Sequence, residues 1–489
     1  MPKIKSNTPI YTNIPTHSNE NSKTLIKNKT ILELITQKLI IRKSEKEEYG
    51  EVFTPLEMIY DMAIKLPKDV WKNPQLKWID TSSGIGNIMI VVFYLLMDGL
   101  KDIDGYKDEQ ERSKHIIENM LYMIEYKEEN VADCKYMFNL LNDSANPNII
   151  CADFLDRGEK WKTMFNNKIT KFDINIGNPP YNIEGTKHKG IKNVYVAFAI
   201  KGLELLNPDG YLVYIHPPPY RISHHQIQCA KENLNAIYTT KQIIYIKMFT
   251  VESTKKLMNI MMNVDYIIVK NTNNPNILAN SMENIYETTI TDIKGETHKL
   301  KIIPHMFIPN FGISILKKLE QITRKNGNIN IILTSEKHAQ IIKGGTQYKN
   351  VHGITSKGIK ICYSDKPHSL HNKRKLIING IGSYNYVLYD EFGEFGFTQS
   401  PVAINEPSPN TLKLIQSKLF HFIVNATKII GNNFNIKTTL FLPIIDEKKI
   451  IIQNETELYN YLKLTKKEIA MIENKDYYSI PAFLHEEIN

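Results

Sequence analysis

The chain has 489 residues, 42% hydrophobic and 23% charged, which excludes a fibrous or disordered protein and suggests two or three soluble domains. A net charge of +9 permits a polyanion partner without requiring one. No run reaches the roughly 18 apolar residues that cross a bilayer and the N-terminus lacks a signal-peptide core, so an intracellular protein with no membrane partner is expected. Cys134, Cys151, Cys229 and Cys362 lack zinc-knuckle or disulfide spacing, so no metal site is expected.

Residues 1–22, rich in Asn, Ser, Thr and Pro, predict a mobile tail, and residues 23–48 a helical segment with apolar positions from Ile31 to Ile40. Gly50-Glu-Val-Phe-Thr-Pro55 follows, with Thr54 placed to cap a helix that starts at Pro55 and runs to about Lys65. Leu76 to Asp80 reads as a buried strand, Thr81 to Asn87 as a glycine turn, and Ile88 to Met97 as an apolar helix. Strand, glycine turn and helix make the first half of a nucleotide-binding unit. Gly84 and Gly86 let the backbone approach a ligand, and the helix start offers free N–H groups.

Residues 98–115 read as a charged insertion, after which strands are expected at Asn119 to Glu125 and Asn148 to Phe154 around a helix from Glu129 to Leu141. The run Lys171 to Gly177 reads as a buried strand that leads into Asn178-Pro-Pro-Tyr181. Two prolines remove two backbone donors and fix two φ angles, which makes an acceptor-rich pocket with an aromatic wall, suited to holding an amino nitrogen. After a polar loop at 182–193, a helix over Val194 to Leu206 leads to strands at Tyr211 to Ile215, Gln242 to Met248 and Asn263 to Val269, about seven in all. Four strand ends thus carry Gly84 and Gly86, Glu125, Asp153 and Asn178, and ligands of open α/β sheets bind at such carboxyl ends.

In this order the segments resemble an adenine-N6 DNA methyltransferase of the restriction-modification type (type II, gamma order), with the cofactor site first and the recognition domain last. The resemblance covers residues 50–272. It implies a Rossmann-like α/β sheet that binds S-adenosylmethionine, followed by a mixed α/β DNA-recognition domain. By the same resemblance Thr54 and Pro55 meet the methionine part of the cofactor, and Asp80, Ser82, Gly84 and Gly86 form its glycine loop. The family commonly has Asp-Pro and a second small residue or cysteine where this chain has Thr81 and Ser82. Glu125 takes the ribose, and Asp153 with Phe154 the adenine. Asn178, Pro179 and Tyr181 form the catalytic tetrapeptide beside the cofactor, and Phe249 joins Tyr181 in stacking on the target base.

The implied reaction is methyl transfer to an adenine flipped out of double-stranded DNA, with the Asn178 oxygen and the Pro179 carbonyl accepting the two amine hydrogens. The same tetrapeptide suits cytosine N4, amino groups of RNA or glutamine in proteins, and a silent DNA-binding relative is a further alternative. Residues 49–272 form the expected methyltransferase domain, 273–445 a target-recognition domain and 446–489 a helical segment centred on Glu455 to Asn474. Lys366, Lys373, Arg374 and Lys375 are the expected DNA contacts. No nuclease pattern is found, which leaves room for a separately encoded restriction endonuclease and a methylase acting as a monomer.

Overall fold

In the computed structural model the apolar runs pair into one large sheet. The described residues are 54–165, 169–181, 193–222, 234–274, 286–333, 345–355, 357–380, 386–398, 401–429, 436–474 and 482–484. The expected tail and helix within 1–48, Gly50 to Phe53, loop residues 182–192 and Cys229 lie outside them.

Helix α1 (Leu56–Ala63) opens the described chain. Pro55, not Thr54, is its N-cap, in extended geometry and without a side-chain bond; Thr54 is engaged elsewhere. Strand β1 (Trp78–Asp80) is followed by α2 (Asn87–Gly99), buried from Asn87 to Leu96 because it is apolar all round. The expected charged insertion contains α3 (Glu109–His115), capped by Asp108, whose side chain accepts the Glu111 N–H. Acids in its first turn and Arg112, Lys114 and His115 in its last suit the helix dipole, a capping signal the charge pattern had obscured.

Then come β2 (Leu121–Glu125), α4 (Glu128–Leu141), β3 (Asn148–Cys151), β4 (Phe172–Gly177), α5 (Val194–Glu204), β5 (Leu206–His216) and α6 (Leu234–Thr239). The sheet continues through β6 (Lys241–Phe249), α7 (Val251–Met258), β7 (Val264–Asn273), β8 (Thr288–Thr291) and β9 (Thr297–Leu300). Its order is β3-β2-β1-β4-β5-β7-β6-β8-β9. Strands β1 to β5 are parallel to one another, while β7 runs antiparallel to both β5 and β6. The chain builds outward from β1 through β2 to β3, then restarts at β4 on the other side. That reversal opens a crevice at the carboxyl ends of β1 and β4.

Nine strands replace the expected seven, and the boundary at 272 gives way to a sheet that continues to Leu300. Thr-Thr-Ile-Thr lacks the apolar signature of a strand and is held by pairing instead. The Thr288 hydroxyl donates to the Ile243 carbonyl at 2.7 Å, and the Tyr245 and Thr291 hydroxyls meet at 2.6 Å.

The remaining chain forms α8 (Ile313–Asn326), β10 (Ile332–Leu333), β11 (Tyr348–Thr355), β12 (Gly358–Ser364), β13 (Lys375–Ile378), β14 (Tyr386–Asp390), β15 (Gly396–Phe397) and β16 (Val402–Asn405). Helices α9 (Pro409–Gln416), α10 (Lys418–Thr427), α11 (Glu455–Tyr461) and α12 (Lys466–Glu473) and strand β17 (Ala482–Leu484) follow. A five-stranded sheet, β10-β16-β13-β14-β17, packs with these helices around a second core, and β12-β11-β15 forms a small third sheet. The single helix expected over 455–474 is two, because Lys463 turns left-handed (φ 56°) and Thr465 with Glu468 starts α12 in a capping box. Leu458, Leu462 and Ile472 belong to the second core, so residues 446–474 are integral to it. No helix among the described residues is long and apolar enough to cross a membrane.

Candidate functional site

The crevice is built around Asp80, the last residue of β1 and fully buried. Its Oδ1 accepts the Ser82 N–H at 2.9 Å, which starts the turn. A Cβ on Gly177 would stand 2.9 Å from the same oxygen, so β4 ends in glycine where the carboxylate needs room. The other oxygen, Oδ2, is buried with no hydrogen-bond partner among the described residues. Burial pushes the Asp80 carboxyl up to about 7; the Ser82 amide opposes this and the Glu125 charge adds to it.

The two glycines after Asp80 have different duties. At Gly84 (φ +55°) a Cβ would meet nothing within 4 Å, so this turn faces open space. At Gly86 (φ +87°) a Cβ would lie 2.6 Å from the Cys134 Sγ and 3.2 Å from the Phe138 ring, so the start of α2 is seated on α4. Glu125, at the end of β2, clasps the loop. Its Oε2 accepts the Gly84 N–H at 2.8 Å, while Oε1 accepts from the Lys127 N–H at 3.0 Å and the Asn130 amide at 3.2 Å.

Tyr126, which the sequence reading passed over, follows Glu125 and is 58% exposed. Beside it the exposed Cys151 thiol donates to the Tyr126 carbonyl at 3.5 Å. An aromatic immediately after a strand-end carboxylate was the signal that could have found this lip. Asp153 lies past the end of β3, half-buried, with Oδ1 accepting the Leu155 N–H at 2.9 Å. Phe154 is 2% exposed, and its ring packs against Trp161 and Phe198 with the Lys201 Nζ 5.0 Å from its centroid. Its ring therefore belongs to the core and is not brought to the crevice with the others.

Thr54 joins three elements. Its hydroxyl accepts from the Asn178 Nδ2 at 3.0 Å and its carbonyl accepts from the Asn87 Nδ2 at 2.9 Å, which ties the approach to α1, the end of β4 and the first residue of α2. That is why Thr54 is buried and does not cap α1. The Asn178 carbonyl also accepts from the Ser82 hydroxyl at 3.4 Å, so the tetrapeptide and the glycine loop are in direct contact. With Nδ2 held by Thr54, the acceptor end of the planar amide is turned away from Thr54.

Behind Asn178 stands an aromatic wall. Tyr181 is buried edge-on to Tyr195, with ring centroids 6.5 Å apart, and burial raises its pKa while a hydrogen bond with the Asn178 side chain opposes that. Tyr195 stacks on His216 at 5.4 Å. His216, at the end of β5, donates from Nδ1 to the Pro217 carbonyl at 2.8 Å and accepts at Nε2 from the Tyr238 hydroxyl at 3.0 Å. Burial holds its pKa down at about 4, so the ring is neutral at pH 7. The wall ends in a buried ion pair: Arg221 Nε meets Asp265 Oδ2 at 2.9 Å, and the Tyr220 hydroxyl donates to the same oxygen.

Phe249 ends β6, half-buried, with its ring 6.1 Å from that of Tyr266. Of the expected DNA contacts, Lys366, Lys373 and Arg374 are exposed. Lys375 is not available. It is fully buried in β13 and paired with Asp390 at 2.5 Å, because the strand turns it inward where a lone ammonium could not stand. Among the described residues one group, Asp292, Glu296 and His298, has ligand atoms within 4.8 Å of one another, in the β8–β9 turn. There the Asp292 Oδ1 accepts the Lys294 and Glu296 N–H groups and its Oδ2 meets the His298 Nε2, which explains the cluster as turn structure.

Residues 105–252 match the Eco57I restriction-modification methylase family. That span holds Glu125, Asp153, Asn178 to Tyr181 and Phe249, and begins after the glycine loop. A curated relative from Mycoplasma pneumoniae, described as an uncharacterized adenine-specific methylase, is 26% identical, with 36% of this chain and 57% of the relative covered. The chain thus spans a little over half the length of that relative. Among solved structures, the type IIL restriction-modification enzyme MmeI in complex with DNA is 13% identical with a TM-score of 0.44, covering 92% of this chain and 71% of that one. The DNA-bound type ISP enzyme LlaBIII is 13% identical with a TM-score of 0.46, covering 76% and 35%. Residues 105–252 are therefore similar to the Eco57I restriction-modification methylase family.

Proposed function

We propose that the chain is a site-specific DNA adenine-N6 methyltransferase, acting on an adenine swung out of double-stranded DNA, as the modification activity of a restriction-modification system or as an orphan methylase. The observation that carries this reading is the Asn178 amide, its nitrogen tethered to Thr54 and its backbone joined to the glycine loop through Ser82. A side chain held by Thr54 and by a hydrogen bond with Tyr181 has a fixed orientation, as positioning an exocyclic amine requires.

The chain's residues fit S-adenosylmethionine. It carries positive charge on its sulfonium and ammonium groups, and Asp80 offers a buried carboxylate oxygen that lacks a partner, reinforced by Glu125. Gly84 leaves open space beside its backbone, and Tyr126 stands exposed at the lip where an adenine ring could lie. When bound, this group supplies an electrophilic methyl. Asp80, Glu125 and Asp153 would hold it, with Thr54 and Pro55 closing over its amino-acid end.

An adenine amine is a poor nucleophile because its lone pair is delocalised into the ring. Positioning must supply the rate. The Asn178 oxygen and Pro179 carbonyl accept the two N–H hydrogens and localise that lone pair as charge develops. Extruding the base costs a few kcal/mol. Stacking on Tyr181 and Phe249 would return roughly 1 to 3 kcal/mol each, and because Tyr181 is only 8% exposed the base must displace what covers it. Incubating unmethylated plasmid with labelled S-adenosylmethionine, then mapping modified adenines on single molecules, tests the reading. Asn178→Ala should lose turnover by at least about a hundredfold, on the scale of one lost transition-state hydrogen bond, while still binding cofactor. An active variant, or a wild-type chain that labels no DNA, would overturn it.

A further inference from the structure

The net charge of the chain is not spread evenly. Residues 345–375 hold seven Lys or Arg against one acid, Asp365, so six of the nine net positive charges fall in 31 of 489 residues. That acid serves the backbone, accepting the Thr346 N–H at 3.2 Å. Most of the segment is the antiparallel hairpin of β11 and β12, paired from Tyr348 opposite Ser364 to Thr355 opposite Gly358.

Part of the hairpin is packed against the rest of the chain. Val351 and Ile354 are buried with Phe397 and Leu388 in the small third core, and β15 covers one edge of β11. Exposed side chains of the hairpin include Lys349, Lys360 and Tyr363, with Lys357 at the tip. Lys349 and Tyr363 are direct cross-strand partners, and Ile361 beside them is 37% exposed. Among the described residues none of these three lysines pairs with a carboxylate, although Lys349 lies over the Phe395 ring. Lys375, by contrast, is consumed by Asp390 and Arg374 stands 3.4 Å from Glu406. The ribbon thus adds three exposed lysines to Lys366 and Lys373, the exposed members of the cluster that have no carboxylate partner among the described residues.

We propose that the β11–β12 ribbon is the surface that docks on the DNA duplex, with Lys349, Lys357 and Lys360 on phosphates and Tyr363 beside base edges; this rests on the DNA-methylation reading above. A two-stranded ribbon fits the major groove of B-form DNA, whereas the deep, narrow major groove of duplex RNA does not admit one. Basic side chains interleaved with exposed Tyr and Ile match a phosphate-flanked groove with thymine methyls.

The test measures binding of the full chain to a fluorescein-labelled 30-base-pair DNA duplex by anisotropy, across a salt series. Lys349→Ala with Lys360→Ala should weaken binding at least tenfold and lower the slope of log affinity against log salt by about 2, since each phosphate contact contributes about 0.9. Lys466→Ala with Lys467→Ala, removing equal charge from exposed positions on α12, should change binding less than twofold. S-adenosylmethionine binding should be unchanged in both, which excludes misfolding. An unchanged salt slope in the ribbon variant, an equal loss in the α12 variant, or equal affinity for the matching RNA duplex overturns the proposal. If the wild type methylates plasmid while the ribbon variant binds normally, the ribbon fails and the methylation reading stands; ribbon-dependent binding without methyl transfer gives the reverse.

Discussion

Asp80→Asn separates the two roles of the crevice carboxylate. The unfolded carboxyl titrates near 3.8 and the folded one near 7, so between those values the folded chain binds more protons than the unfolded one. Stability must then fall as pH rises from about 4 to about 7 and level off above, the reverse of a salt-bridged carboxylate. At 1.36 kcal/mol per unit, the shifted titration costs the folded chain about 1.5 kcal/mol at pH 5, where Asp80 keeps a proton that the unfolded chain has lost, and on the order of 4 kcal/mol at pH 8, where it is ionised. Asparagine keeps the Oδ1 acceptor for the Ser82 N–H and replaces the lone carboxylate oxygen with a neutral amide of the same shape. Urea unfolding, followed through the transition that opens the large sheet, should show the variant gaining about 2 to 3 kcal/mol over wild type between pH 5 and pH 8. Its affinity for S-adenosylmethionine should fall at least tenfold, because the cation loses its counter-charge. Parallel stability profiles for the two proteins across that range, or unimpaired cofactor affinity in the variant, would refute the reasoning.

Thr54→Val removes the acceptor that holds the Asn178 Nδ2; kcat should fall about tenfold, on the order of one hydrogen bond, with activity restored by Thr54→Ser. Gly86→Ala, with its Cβ forced to 2.6 Å from Cys134 at positive φ, should lower the melting temperature by several degrees, equivalent to about 2 kcal/mol or more. Gly84→Ala has open space and should cost only about 1 kcal/mol of backbone strain, yet weaken cofactor binding; calorimetry and isothermal titration separate the pair. Arg221→Met leaves Asp265 buried without its cation, and a loss of about 3 to 5 kcal/mol in unfolding free energy is expected.

What could be read from the chain before its structure followed local rules. The strands of the central sheet announced themselves because both faces are covered, so each is a continuous apolar run, and the residue types at their ends were legible for the same reason. The elements misread were those stabilised by partners distant in sequence. Thr-Thr-Ile-Thr at 288–291 becomes a strand only because β6 offers its edge, and Lys375 becomes a core residue only because Asp390, fifteen residues on, is brought opposite it. Thr54 resembles an N-cap in sequence, yet its hydroxyl is taken by Asn178, 124 residues away. Local propensity was right about what each residue can do and silent about which partner would claim it.

That same competition explains why the crevice is organised as it is. Thr54, Glu125 and Ser82 each spend their polar atoms on another part of the site: Thr54 on Asn178, Glu125 on the Gly84 amide, Ser82 on the Asn178 carbonyl. The glycine loop, the end of β2 and the tetrapeptide are therefore one bonded unit before any ligand arrives, and a change in one should be felt at the other two. Asp80 is the exception, since its second oxygen is buried without a partner. A buried carboxylate oxygen without a partner is a cost to the folded chain, and a cation bound at that oxygen is what would offset it.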